Sequence, residues 1–110
     1  MQIWVEVEGG SCIATIFYNG KARVMWLDSV QVDPARQRQG VGTALMKMAE
    51  RLAKTHGVDA MELVVNSDNL AAQGLYDKTG YQPTEKVHYR KILRKFEVGD
   101  NATISPTVDQ

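Results

Sequence analysis

A single cysteine, Cys12, stands in this chain of 110 residues. It excludes an internal disulfide and a cysteine-rich zinc site, and two distant histidines, His56 and His88, make a poor metal set, so no metal is expected. Charge of one sign is equally scarce: thirteen Lys and Arg balance thirteen Asp and Glu. The general electrostatic pull behind nucleic-acid or anionic-membrane binding is therefore missing, and neither partner is expected despite the scattered cations Arg36, Arg38, Arg90, Lys91, Arg94 and Lys95. No apolar run approaches the roughly 20 residues of a membrane span. The opening MQIWVEVE alternates and carries acids where a signal peptide has a basic start and an apolar block, so the protein reads as cytoplasmic.

What remains is an ordinary globular balance, 44% apolar and 24% charged. The length fits one domain of roughly 100 to 150 residues. Residues 1–98 are read as that domain and the polar run 99–110 as a tail that frays. Ile3, Val5 and Val7 alternate with Gln2, Trp4 and Glu6 until Gly9-Gly10 breaks the pattern, which describes a strand and a turn. Residues 12–18 make a second strand, and Asn19-Gly20 predicts a hairpin with a type I′ turn. A third strand spans about 22–32. Within it Val24 and Trp26 alternate, whereas Leu27, Val30 and Val32 fall out of phase, which predicts an extra residue, a bulge, near Asp28.

From Val41 the period changes. Val41, Ala44, Leu45, Met48, Ala49, Leu52 and Ala53 line one helical face and Lys47, Glu50, Arg51 and Lys54 the other, a helix over about 40–56 that Gly57 ends. Residues 60–65 follow as a short buried strand, so strand, helix and strand form a crossover that sets the two strands parallel. A second helix is expected over 68–79, capped by Ser67, Asp68 or Asn69 and ended by Gly80. Gly74 inside it costs roughly 1 kcal/mol against Ala, which calls for a close backbone approach or a ligand. A last strand covers 87–94. Met46, Met48 and Met61 are read as core fillers.

The stretch Val32-Asp33-Pro34-Ala35-Arg36-Gln37-Arg38-Gln39-Gly40-Val41-Gly42-Thr43 leads from a strand into a helix. Unpaired N–H groups and aligned peptide dipoles at a helix start favour an anion there. Gly40 and Gly42 let a diphosphate reach the backbone, and Arg36 and Arg38 add charge. The alternative is a plain turn with solvated arginines. The run is neither a P-loop nor a G-x-G-x-x-G fingerprint.

Gln37-x-x-Gly40-x-Gly42, preceded by Val30-x-Val32-x-Pro34, resembles the acetyl-CoA pyrophosphate motif of the GNAT superfamily of N-acetyltransferases. About 30 residues on, Asn69, Ala72, Leu75-Tyr76, Gly80 and Tyr81 resemble that family's N-x-x-A-x-x-L-Y-x-x-x-G-[FY] segment. Together the likeness spans roughly residues 22–94. It implies an α/β fold with a GNAT-like mixed sheet: antiparallel N-terminal strands, a parallel central crossover with splayed strands, and two main helices. It also implies acetyl-CoA as the bound group. Val30 and Val32 would pair with pantetheine, the amides of Gln37, Arg38, Gln39, Gly40, Val41, Gly42 and Thr43 would hold the pyrophosphate, and Asn69 would contact pantetheine. Tyr76 would stand near the sulfur, as general acid for the departing thiolate.

The base is less marked. Relatives that acetylate ribosomal-protein alanine place a glutamate where this chain has Val64. Glu62, two residues earlier on the same strand face, is the nearest substitute, with Asp28, Glu85, His88 or a water chain as further candidates. Family members usually begin with a strand and one or two helices that wall the acceptor site, and this chain opens almost directly on the hairpin. The likeness thus implies an incomplete acceptor pocket with Trp4, Trp26 or Phe17 exposed, and either a homodimer or a small, open acceptor site. The expected activity is transfer of acetyl from acetyl-CoA to a primary amine, on a small molecule or a peptide, by direct attack in a ternary complex. The rival expectation is a CoA-binding or dimerisation module with little catalysis.

Overall fold

The structure, a computed structural model, describes residues 1–84 and 88–94 in full and the backbone of 96–98 and 102–104. Along the chain run β1 (Gln2–Val7), β2 (Gly10–Tyr18), β3 (Arg23–Val32), a 3-10 turn (Pro34–Arg36), α1 (Val41–Thr55), β4 (Ala60–Val64), α2 (Leu70–Lys78), β5 (Gln82–Pro83) and β6 (His88–Ile92). Six strands form one sheet in the order β1-β2-β3-β4-β6-β5. Only β3 and β4 pair in parallel, joined across α1 as the crossover requires. The expected mixed α/β sheet with two helices is therefore the fold. A separate antiparallel ladder pairs β7 (Phe96–Val98) with β8 (Ala102–Ile104). Three residues of the run expected to fray, 102–104, are thus extended and paired along their backbone.

The Asn19-Gly20 hairpin forms, but not as a type I′ turn. Gly20 has a φ of 96° whereas Asn19 is not left-handed. Instead the Asn19 side-chain carbonyl accepts the amides of Lys21 and Ala22, each at 2.9 Å, and this Asx turn replaces the second left-handed residue. Both helices end as expected. Gly57, at φ 68°, donates to Lys54 O while Val58 donates to Ala53 O, and Gly80 with Tyr81 repeats the pattern on Asp77 and Tyr76. These are paired six-to-one and five-to-two closures, which only a left-handed residue completes.

The core lies between one face of the sheet and the helices. Val5, Cys12, Ala14, Ile16, Met25, Leu27, Met61 and Leu63 from the strands meet Leu45, Met46, Ala49 and Ala53 of α1, all sealed from solvent. Each large side chain so buried contributes roughly 1.5–3 kcal/mol. In the first half of β3, Met25 and Leu27 face this core, while Val24 and Trp26 lie on the other face. Glu50 of α1 receives Lys91 of β6 at 2.5 Å and Lys54 at 3.1 Å, tying the helix to the sheet. Burial alone would raise the Glu50 carboxyl, but the bonds and charges of Lys91 and Lys54 outweigh it and hold it below its ordinary range. No helix among the described residues is long and apolar enough to cross a membrane.

Candidate active site

β3 and β4 stay in register from Val24 opposite Ala60 to Leu27 opposite Leu63, and there the pairing ends. The cause is local. On its other side β3 pairs Asp28 with Ile13 and Gln31 with Ser11, so Ser29 and Val30 together oppose Cys12. Ser29 carries the extra residue in a left-handed conformation, φ 53°. Such a backbone costs on the order of 1–2 kcal/mol for a residue with a Cβ. The bulge expected near Asp28 is present, it turns Val30 onto the face that Met25 and Leu27 share, and it swings the rest of β3 away from β4.

Between the parted strands opens a groove of about 980 Å³ that runs on between the starts of α1 and α2. Its walls include Val30, Val32, Gln37, Arg38, Gly40, Val41, Gly42, Thr43, Asn69 and Tyr76, so most of the site residues expected from the sequence converge on one space. Gln39 and Glu62 do not line it. Gln39 stands exposed on the loop. Glu62 lies on the helix-free face of the sheet, where one oxygen meets His88 Nε2 at 2.8 Å and the other Arg90 Nε at 3.2 Å. Both oxygens are thus already engaged. Glu85 lies outside the described residues.

The cradle itself is backbone. Gly40, at φ 80°, caps α1 without a side-chain bond, and Ala44 is the first amide to reach back to it, at 3.0 Å. Among the described residues, the amides from Gln37 to Thr43 make no backbone hydrogen bond outside α1, and the first three of the helix lack intrahelical partners by geometry. Arg38, held at φ 66°, lines the groove without an ion pair among the described residues. Arg36 does not share this role, because it pairs with Glu8 at 3.1 Å away from the groove. The two glycines of the motif also divide. A Cβ on Gly40 would meet nothing within 4 Å, whereas one on Gly42 would lie 2.8 Å from Leu75 Cδ2. Gly42 therefore admits α2 against α1, and Gly40 leaves the space open.

α2 brings the opposite wall. Asn69 caps it by accepting Ala72 N at 3.1 Å, and the Gln73 side chain donates to Asn66 O and Ser67 O, each at 3.1 Å, which fixes the preceding loop. Gly74 has no protein atom within 4 Å of a built Cβ and faces the groove. Of the two reasons offered for that glycine, close approach by the protein is excluded. Tyr76 is 4% exposed, its ring wedged against Tyr81 at 5.8 Å and Tyr89 at 6.0 Å between centroids. No buried side-chain oxygen or nitrogen among the described residues lacks a partner, so the Tyr76 hydroxyl, which makes no hydrogen bond among them, is not fully sealed, and Tyr76 lines the groove. Burial, and secondarily Cys12, pushes its pKa above the ordinary phenol value. Tyr76 thus keeps its proton at neutral pH.

Sequence reading missed Asn66, and Lys78, which lines the groove from the last turn of α2. Lys78 lies two residues after Tyr76, a spacing without meaning until the packing of α2 on α1 is known.

The model of the acetyltransferase (GNAT) family matches residues 1–81. The chain belongs to that family. An uncharacterized N-acetyltransferase of Bacillus subtilis is 36% identical over 64 residues, 58% of this chain and 26% of that protein. An aminoglycoside N(6′)-acetyltransferase of Acinetobacter haemolyticus is 35% identical over 66 residues, 60% of this chain and 46% of that one. The chain thus spans less than half the length of these curated relatives. Among solved structures, the ribosomal-protein-S18-alanine N-acetyltransferase of Escherichia coli superimposes with a TM-score of 0.66 at 24% identity, covering 86% of this chain and 66% of that one. The PaiA N-acetyltransferase of Thermoplasma acidophilum, in complex with coenzyme A, does so with a TM-score of 0.65 at 21% identity, covering 76% and 52%. The family uses acetyl-CoA. The open space at Gly40 and Gly74, the unpaired amides and Arg38 fit a diphosphate with an extended thiol arm.

Proposed function

We propose that this chain transfers the acetyl group of acetyl-CoA to a primary amine by direct attack in a ternary complex. The observation that carries the reading is the parting of β3 from β4 beside a cradle of unpaired amides, with Tyr76 in the wall of the same groove. Acetyl-CoA supplies an acetyl carbon activated as a thioester. The amides of Gln37 to Thr43 and the Arg38 guanidinium hold the diphosphate, while the edge of β3 at Val30 and Val32, with Asn69 opposite, positions the arm that reaches toward Tyr76.

In the transfer a C–N bond forms and the C–S bond breaks. The amine gives up one proton and the sulfur takes one. Tyr76, neutral because it is buried, donates to the departing thiolate. Asp28, exposed at the bulge and lining the groove, is better placed than Glu62 to receive the amine proton directly or through water, since Glu62 would first have to release His88 or Arg90. N–H groups on the freed edge of β3 face the developing oxyanion. Cys12 takes no part as an acyl carrier: burial first, and the Asp28 charge second, raise its thiol to about 11.

The finer reading of the assembly is a homodimer. Trp4 is 62% and Phe17 44% exposed on the sheet face that neither helix covers, with Trp26 half-buried between them and Glu62. A second copy laid on that face would shield these rings, and light scattering should report twice the chain mass. A monomer that Trp4→Lys leaves unchanged would remove this part alone.

Thiol release in the presence of acetyl-CoA tests the activity. Release that depends on adding a polyamine, an amino acid, an aminoglycoside or a peptide N-terminus is the expected result. Tight CoA binding with no turnover across all four classes would instead support the CoA-binding module.

A further inference from the structure

A second hollow, of about 840 Å³, lies between the outer face of α1 and the end of α2, and it shares Thr43 and Lys78 with the groove. The two hollows therefore adjoin at the end of the groove that holds the proposed diphosphate cradle. The second hollow is strongly basic. Lys47, Arg51, Lys54, Lys78 and Lys91 line it against one acid, Glu50. Glu50 is already taken by Lys54 and Lys91. Lys47, Arg51 and Lys78 have no ion pair among the described residues, so uncompensated positive charge gathers here in a chain whose formal charges cancel.

A molecule whose diphosphate sits on the amides of 37–43 and whose thiol arm enters the splay has, at Thr43 and Lys78, a way for its other arm into the second hollow. For CoA that arm is an adenosine bearing a 3′-phosphomonoester. Such a group carries between one and two negative charges at neutral pH and accepts several donors. Lysine ammonium groups bind phosphate as point charges, and a guanidinium adds a planar fork. We propose that Lys78, Lys47 and Arg51 form a phosphomonoester subsite that reads the 3′-phosphate and so separates CoA from dephospho-CoA. This rests on the reading of the groove as the acetyl-CoA site.

Titration calorimetry of the whole chain with CoA and with dephospho-CoA tests it. CoA is expected to bind about tenfold or more tightly than dephospho-CoA, the scale of charge-assisted bonds to one phosphate, and the preference should shrink as salt is raised. In Lys78→Gln, and separately in the double variant Lys47→Gln/Arg51→Gln, the preference should fall toward unity while dephospho-CoA binds as to the parent chain. Millimolar inorganic phosphate should weaken CoA and spare dephospho-CoA. Equal affinity of the two ligands for the parent chain would overturn the subsite and leave the acetyl-CoA reading standing, as would phosphate that weakens both alike, since it would then act at the diphosphate cradle. Failure of both ligands to bind would overturn that reading and the subsite with it.

Discussion

The two halves of β3 obey different demands. From Val24 to Leu27 the strand is zipped to β4 and its inward side chains, Met25 and Leu27, are 0% and 1% exposed. From Asp28 to Val32 the same strand has no partner on that side among the described residues, and Val30 and Val32 are only half-buried. One left-handed residue, Ser29, divides them. The lower half stores stability by burying apolar surface, while the upper half gives up strand pairing and leaves backbone donors and acceptors facing a groove. Gly42 and Gly74 repeat the contrast across the helices: the first is small because Leu75 fills the space, the second although nothing among the described residues does.

That contrast can be broken first at Leu27. Leu27→Ala, in the zipped half, should cost about 2–5 kcal/mol in unfolding free energy by chemical denaturation, while folded molecules still bind CoA. A loss under 1 kcal/mol would mean that the zipped half is not the stabilising one. Next, at the groove wall, Tyr76→Phe should lower turnover about 100-fold at nearly unchanged CoA affinity, the scale of a lost general acid. Equal rates would leave Tyr76 a packing residue. The glycines should then give opposite signs. Gly42→Ala should destabilise by about 1–3 kcal/mol through overpacking against Leu75, and Gly74→Ala should stabilise by roughly 1 kcal/mol through helix propensity, both read from melting curves. A matching sign in the two would erase the distinction between filled and open space.

The smallest effect belongs to Glu50, remote from the parted strands. Its carboxyl is held below its ordinary range in the folded state, so its contribution is present above that range and is lost as the pH falls through the folded-state value. The melting-temperature gap between the parent chain and Glu50→Gln should therefore narrow on acidification below about 4.5. A gap that stayed constant would show that the ion pairs with Lys91 and Lys54 add nothing net.

How much of this was legible in the sequence follows from the range of the forces involved. The bulge could be read because a one-residue slip in period 2 leaves a visible phase error between Leu27 and Val30. The ends of α1 and α2 could be read because Gly57 and Gly80 close each helix within a few residues. The cradle at Gly40 was legible for the same reason. Which face of β3 meets α1 was not legible, because Val24, Met25, Trp26 and Leu27 are all apolar and alternation alone does not say which pair turns inward. Arg36 and Glu62 were placed near the chemistry by type and position, but Glu8, His88 and Arg90, far away in sequence, hold them elsewhere. Lys78 and Lys47 meet only through the packing of two helices, and no local pattern records that meeting.

The most direct test of the central claim puts a bulky side chain where the structure has open space inside the groove. Gly74→Leu keeps a helix-compatible residue at a position with no protein atom in reach, so its melting temperature should match or exceed that of the parent chain. Titration of CoA should give one site per chain for the parent and no detectable binding for the variant. Undiminished CoA affinity in a folded Gly74→Leu protein would contradict the account, because the cofactor would then lie somewhere other than between the parted strands.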